Sequence, residues 1–265
     1  MAFCEDPSLT YLNHLGYNVI RLPRTGVAPL EVLGSERGKP PEPLGPLSTV
    51  WQASIEIPAV TQGDATNISG HATNDMKLSF GLKLLETVLG AMGAAAPKIK
   101  ASYSQANKVK FEFKNPEIQT ISPLVVGNYL AHGDLNTDNP TVERYFFDEQ
   151  MRAFLVTEVL YSRSIRVTAS SASSTGVELD VKVLQDSVGG NVDVTVNSAT
   201  EGDLIYTGKK LLAFGYKAHE IAFDGSQWSL RRVNPSKNTS LLAEKPEELA
   251  APVLFAGDDF WGGPR

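Results

Sequence analysis

The chain has 265 residues, 42% of them hydrophobic and 20% charged, and a formal net charge of −6. That length holds one large domain or two small ones, and the composition excludes wholesale disorder. The negative charge disfavours nucleic-acid binding by bulk electrostatics; the single cysteine, Cys4, excludes an intrachain disulfide and fits a reducing, cytosolic compartment; and no run reaches the roughly 18 apolar residues of a spanning helix.

The N-terminus lacks the basic start and continuous apolar stretch of a signal peptide, and Glu5 and Asp6 interrupt it. Leu12 to Leu22 reads as a strand ending at Pro23. Residues 34–47, rich in Pro and Gly, read as an exposed loop. Residues 49–57 read as a strand, with Val50, Ile55 and Ile57 apolar, stopped by Pro58.

Residues 77–92 carry two periods at once. Leu78, Phe80, Leu82 and Leu84 alternate with Lys77, Ser79, Gly81 and Lys83, as in a strand. Leu78, Leu82, Leu85, Leu89 and Met92 also fall at helical spacing. An ordinary amphipathic helix is the commoner source of the second pattern. Residues 98–113 alternate over a length nearer the 9–11 residues of a membrane-crossing strand than the 5–6 of a globular one. Ile99, Ala101, Tyr103, Val109, Phe111 and Phe113 share one face; Lys98, Lys100, Lys108 and Lys110 lie on the other. A hairpin of two short strands around Gln105–Asn107 fits equally well.

Ser122-Pro123 opens a helix running toward His132, and a second helix is expected over 141–150. A long strand covers 152–169. Val177, Leu179, Val181 and Val183, then Val192, Val194 and Val196 after Gly189-Gly190, give a second hairpin pattern. A helix near 207–216 and a strand near 219–223 complete the body.

From Arg231 the texture becomes polar and proline-punctuated, which marks a linker. The last residues carry Leu249, Val253, Leu254, Phe255, Phe260 and Trp261, side chains costly to leave in water, so this tail is expected to dock on the body. The expected division is a body of residues 1–232, a linker of 233–246 and a tail of 247–265. Charge is uneven as well. Residues 76–115 hold seven lysines against Glu86 and Glu112, whereas 243–265 hold five acids against Lys245 and Arg265, so losing the tail leaves −3 and could uncover a basic face suited to anionic lipid.

One enzyme-like motif occurs. His132-Gly133-Asp134-Leu135 with Asn139 matches the catalytic loop of kinase-like phosphotransferases, but no glycine-rich phosphate loop lies upstream and Phe223-Asp224-Gly225 is far downstream. The four histidines have no metal-ligand spacing. No catalytic residue, metal or cofactor is expected. The competing readings are a soluble binding or scaffold protein with a regulatory C-terminal segment and, more distantly, the phosphotransferase.

The opening Cys4-Glu5-Asp6-Pro7, Tyr11-Leu12 and His14-Leu15-Gly16-Tyr17-Asn18-Val19-Ile20-Arg21-Leu22-Pro23, followed in order by both alternating regions and the short apolar tail, resembles the bacterial gasdermins. The resemblance spans nearly the whole chain. It implies an α+β fold: a twisted, mostly antiparallel sheet with surrounding helices and a short inhibitory tail. It implies a cytoplasmic, autoinhibited precursor cut near its C-terminus by a partner protease, often caspase-like. The released body then assembles with copies of itself into a large β-barrel ring in the inner membrane, and the cell's death limits phage spread. It further implies a fatty acyl (palmitoyl) group on Cys4. On this reading the insertion strands map to 69–86, 97–114, 163–180 and 190–206, with Leu78, Phe80, Leu82, Lys98, Lys100, Tyr103, Lys108, Lys110 and Phe111 as membrane-facing or basic insertion residues. Leu241 and Leu242 are cleavage candidates, and Leu249, Leu254, Phe255, Phe260 and Trp261 hold the tail to the body.

Overall fold

The computed structural model describes residues 16–36, 41–65, 76–94, 103, 105–171, 177, 179–188, 190–196 and 202–232. Two strands of unusual length form the spine: β10 (Met151–Ser170) and β12 (Asp203–Phe223) run antiparallel, from Phe154 opposite Glu220 to Thr168 opposite Asp203. Short strands fill the outer edge of each in succession. Along β10 lie β2 (Glu31–Glu36), β8 (Glu117–Thr120) and β7 (Lys108–Lys114). Along β12 lie β13 (Trp228–Arg232), β1 (Asn18–Arg24) and β11 (Val192–Val196). Outside these, β3 (Glu42–Pro46) pairs β2, β5 (Thr61–Asp64) pairs β8 and β6 (Met76–Lys77) pairs β7. The register shifts near Val156, Leu160 and Ser162 bend the spine, which is how bulges accommodate a strand far longer than about 10 residues in a twisted sheet.

Five helices are described: α1 (Leu47–Val50), α2 (Leu78–Met92), α3 (Pro123–Ala131), α4 (Pro140–Phe147) and α5 (Val181–Val188). Proline at the first turn starts α3 and α4, and the Asn139 side chain caps α4 by accepting from the Thr141 N–H at 3.0 Å. A small ladder of β4 (Trp51–Ala53) and β9 (Gly133–Leu135) joins α1 to α3.

The two ends of the spine are built differently. At the Met151 end both faces are covered. Ala153 and Leu155 pack with Leu47, Trp51, Val126 and Leu130, while Phe154 and Val156 pack on the opposite face with Ile20, Leu33 and Ala213. Successive residues of β10 are therefore buried without alternation, as expected of a two-sided strand. At the Ser170 end burial alternates: Ile165, Val167 and Ala169 are buried, while Arg166, Thr168 and Ser170 are partly open.

Several sequence expectations are corrected. Residues 49–57 are not one strand; α1 ends at Val50, β4 stops at Ala53, and Ile55 and Ile57 are exposed. The 34–47 stretch carries the end of β2 and all of β3, whose prolines are tolerated because it is an edge strand. The helix expected over 207–216 is the middle of β12, where pairing on both sides overrides local preference. The strand expected over 177–183 gives way to α5, capped by Asp180, whose Oδ1 accepts from the Lys182 and Val183 N–H groups. β1 begins at Asn18, and residues 12–15 lie outside the described part. The helices expected after Ser122-Pro123 and over 141–150, the 152–169 strand and the 192–196 strand all form.

Candidate membrane-inserting region

At the Ser170 end, β7, β10, β12 and β11 make one four-stranded surface with two unlike faces. Opposed residues on antiparallel strands share a face, so the rows can be followed across. Phe113, Ile165, Tyr206 and Val194 form one row; Phe111, Val167, Leu204 and Val196 form the next. This face is apolar. The other carries Lys110 opposite Thr168, Glu112 opposite Arg166 and Lys114 opposite Ser164.

α2 and α5 cover the apolar face. Leu82, Leu85, Val88, Leu89 and Met92 of α2 and Leu184 of α5 join Val109, Phe111, Ile165, Val167, Val192 and Tyr206 in one buried cluster. The fit is close at the C-terminal end of α2: a Cβ on Gly208 would lie 2.8 Å from the Met92 Cβ. α5 is tied down by Gln185, whose Nε2 donates to the Val192 carbonyl at 2.9 Å and whose Oε1 accepts from the Val194 N–H at 2.7 Å. Beneath the helices the phenols of Tyr103 and Tyr206 meet at 2.7 Å, and burial pushes both above the ordinary tyrosine range.

The polar face is held by Arg166. Its Nε and one terminal nitrogen donate to the two carboxylate oxygens of Asp203 at 2.8 and 2.5 Å, and its other terminal nitrogen donates to Glu112 at 3.1 Å. The Asp203 carboxylate holds the guanidinium further above its already high range, and Thr168 adds a 3.4 Å contact to Asp203. Three strands are thus bridged on the side opposite the helices.

The expected insertion residues divide accordingly. Leu78, Phe80 and Leu82 lie on α2 rather than on a strand, and Leu82, Tyr103 and Phe111 are buried in the same cluster. Lys108 and Lys110 are exposed on β7. Among the described residues of 98–113, strand covers Lys108 to Phe113 and the Ala106 N–H donates to the Tyr103 carbonyl in a turn, which fits the reading with a turn around Gln105–Asn107; 98–102 lie outside the described residues. Lys98, Lys100, Cys4, Leu241, Leu242 and the tail residues Leu249, Leu254, Phe255, Phe260 and Trp261 lie outside the described residues. Sequence reasoning missed Arg166, Asp203, Gly202 and Gly208. The strand alternation places Arg166 on the polar face, but its partner is set by long-range register.

The kinase-like motif is consumed by the architecture. Gly133–Leu135 pairs with Trp51–Ala53, His132 Nδ1 lies 2.8 Å from the Asn128 carbonyl, and Asn139 is spent on its cap. Asp224 closes a turn by accepting from the Ser226 and Gln227 N–H groups. Among the described residues there is no group of His, Cys, Asp and Glu placed to hold a metal, and no helix is long and apolar enough to cross a membrane.

A model of the Bacterial Gasdermin Family matches residues 20–229. A relative from Vitiosangium sp. named Gasdermin bGSDM is 38% identical over 89% of this chain and 88% of its own. Another from a Desulfuromonadales bacterium is 30% identical over 96% and 97%. The solved structure of a bacterial gasdermin from Bradyrhizobium tropiciagri has the same fold, with a TM-score of 0.60 at 17% identity over 85% of this chain and 90% of that one. Gasdermins are pore-forming proteins that self-oligomerise and are not enzymes. A family match over most of the chain, together with these relatives, shows that this chain belongs to the bacterial gasdermin family.

Proposed function

We propose that this chain is an autoinhibited precursor, stored in the cytoplasm, whose pore opens in the inner membrane when a protease removes the C-terminal tail. The carrying observation is the two-faced surface at the Ser170 end, with its apolar side covered by α2 and α5. Lipid requires every backbone polar group to be satisfied, so strands can cross only as a closed barrel, which here takes many copies. Such strands need one lipid-facing and one water-facing side. β7, β10, β11 and β12 already have both, and the strand period within α2 (Leu78, Phe80, Leu82, Leu84) lets that helix re-form as a strand with its apolar residues on one side.

The cut is placed in 233–246, with Leu241 and Leu242 as candidates and a caspase-like enzyme as the protease class that the resemblance implies. Removing the acidic tail raises the charge by three, which favours anionic lipid. Death of the leaking cell would restrict phage spread. The test uses the full chain with a specific protease site inserted after Leu242 and dye-loaded liposomes of phosphatidylethanolamine and phosphatidylglycerol. Leakage is expected only after the cut; a folded, cut protein that releases no dye returns the chain to the binding-protein reading.

A palmitoyl group on Cys4 would assist this process without replacing it, since one acyl chain gives only marginal membrane binding. Intact mass of protein from its native host is expected to show the acylated species, and a wholly unmodified population there removes the proposal.

A further inference from the structure

The sheet is interrupted along a single line. On β10 the break falls at Arg163: Ser162 faces Leu212 and Ser164 faces Thr207, so residues 208–211 of β12 stand against one residue of its partner. On the other flank of β10, β7 ends at Lys114 and β8 begins at Glu117. The step between them is Asn115, in left-handed backbone at φ 45°, and Pro116, which has no N–H to give a ladder. On the outer flank of β12, β11 pairs as far as Gly208 and β1 pairs from Ala213. These breaks lie side by side. We propose that they form a hinge: in the uncut protein the four-stranded surface beyond it opens and closes with α2 and α5 as one unit, while the Met151 end stays folded. This holds for the closed protein whether or not the chain forms pores.

In a sheet whose ladders run unbroken, each hydrogen-bonded pair holds the next in place, and opening at one end is transmitted to the other. Where pairing is interrupted on neighbouring strands at the same level, that coupling stops. The side-chain clusters divide at the same level. Val109, Phe111, Ile165, Val167, Val192 and Tyr206, which pack beneath α2 and α5, all lie on the Ser170 side. Leu33, Leu155, Val156 and Ala218 belong to the two clusters of the Met151 end. Contacts dense within two parts and thinner between them are what lets one part open alone. Some contacts do span the line. Leu212 reaches into the cluster under α2, Phe113 stacks on Phe214 with ring centres 4.6 Å apart and planes 7° apart, and α2 also approaches β1. Opening the unit breaks these.

Ser162 pins the hinge shut. Its side chain is fully buried, its Oγ accepts from the Ser164 N–H at 3.0 Å, and the same hydroxyl lies 2.6 Å from the Lys114 carbonyl. Ser162 stands on the Met151 side of the line, and Ser164 and Lys114 stand on the Ser170 side. One hydroxyl therefore takes up backbone groups where the bulge disrupts the ladder. Arg163 adds an ion pair to Glu117 of β8 at 2.8 Å, but the arginine is half exposed and the pair contributes little.

The test is amide hydrogen exchange of the uncut full chain, under conditions where closing outruns exchange. β10 is one strand, yet its amides are expected in two classes, with residues 165–169 exchanging together at least about tenfold faster than residues 153–160. Val167→Ala and Val156→Ala remove the same atoms from fully buried sites on either side of the line. Val167→Ala weakens packing lost both in local opening and in global unfolding, and should speed both classes by about tenfold. Val156→Ala weakens packing lost only in global unfolding, and should speed the slower class alone. Ser162→Ala should act as Val167→Ala does, because opening breaks its bridge to Ser164 and Lys114. A single class along all of β10, or Val156→Ala speeding both classes, overturns the hinge. Ser162→Ala speeding only the slower class overturns the role of its hydroxyl. If a variant does not fold, the two classes in the parent protein decide the question.

Discussion

Replacing Gly202 by alanine is expected to make the uncut protein leak. Gly202 has φ +85°, and a Cβ there would lie 2.8 Å from the carbonyl oxygens of Ala169 and Val177 and 3.0 Å from the Val177 nitrogen. All three atoms are backbone, so none can swing away. The Ala169 N–H donates to the Gly202 carbonyl at 2.8 Å, and Val177 is buried in the cluster beneath the helices, so the segment cannot drift outward cheaply. Left-handed backbone costs an alanine about 1–2 kcal/mol, and the overlap brings the penalty to about 3 kcal/mol. In an extended strand Gly202 would face Ala169 with ordinary β geometry, where alanine fits. The penalty therefore falls on the closed form alone. Melting of the uncut variant is expected roughly 6–12 °C lower, with dye release before any cut. Gly225→Ala is the control: φ is +99° there, but nothing lies within 4 Å and the turn joins β12 to β13 at the opposite end of the spine. It should lower the melting temperature slightly and leave the protein tight. An uncut G202A protein that melts with the parent and holds dye sinks the argument.

The sequence exposes the local rules and conceals the long-range ones. Ser122-Pro123 announces a helix start, and α3 begins there, because the pre-set φ of a first-turn proline needs only neighbouring residues. β10 is readable because β-branched and aromatic residues run on from Phe154. The middle of β12 is not. Lys209-Lys210-Leu211-Leu212-Ala213-Phe214 has helix-like composition, and pairing of Leu212 and Ala213 with β10, of Ala213 with β1 and of the flanking Thr207 and Gly215 makes it a strand. The two periods of 77–92, of which the helical one holds, and the strand expected over 177–183, which forms a helix instead, share a cause. Both stretches alternate like strands, yet α2 and α5 form, because in the closed protein the apolar residues are buried by lying across the sheet rather than by extending it. Of the candidate residues, alternation along β7 accounts for Phe111 buried and Lys108 and Lys110 exposed, whereas Leu82 is buried through the helical spacing of α2 and Tyr103 from a turn. The clamp that opposes them was invisible, since Arg166 and Asp203 are neighbours only through register.

Removing that clamp is the second large effect. Arg166→Met would leave the Asp203 carboxylate, whose side chain is 1% exposed, without its bidentate partner. Breaking a buried ion pair by removing one member costs about 3–5 kcal/mol. Arg166 itself is 30% exposed, so water can partly replace it, and about 3 kcal/mol is the expected loss. The uncut variant should melt roughly 6–12 °C below the parent. Asp203→Leu in the same chain removes the stranded carboxylate, and the double variant should recover most of the loss, because exchanging both members of a buried pair for apolar residues is often nearly neutral. The clamp and the helices press on the same strands from opposite faces, but they should differ in what they do to leakage. On the proposed pore reading, the face that carries Arg166 and Asp203 would be the water-filled side of a barrel, where a carboxylate that has lost its guanidinium is hydrated and costs little. Arg166→Met therefore penalises the closed form more than the open one, and cut protein should release dye faster than the parent. Slower release would mean that the arginine is needed more in the pore than in the precursor, and that the closed state is held by α2, α5 and the turn at Gly202 alone.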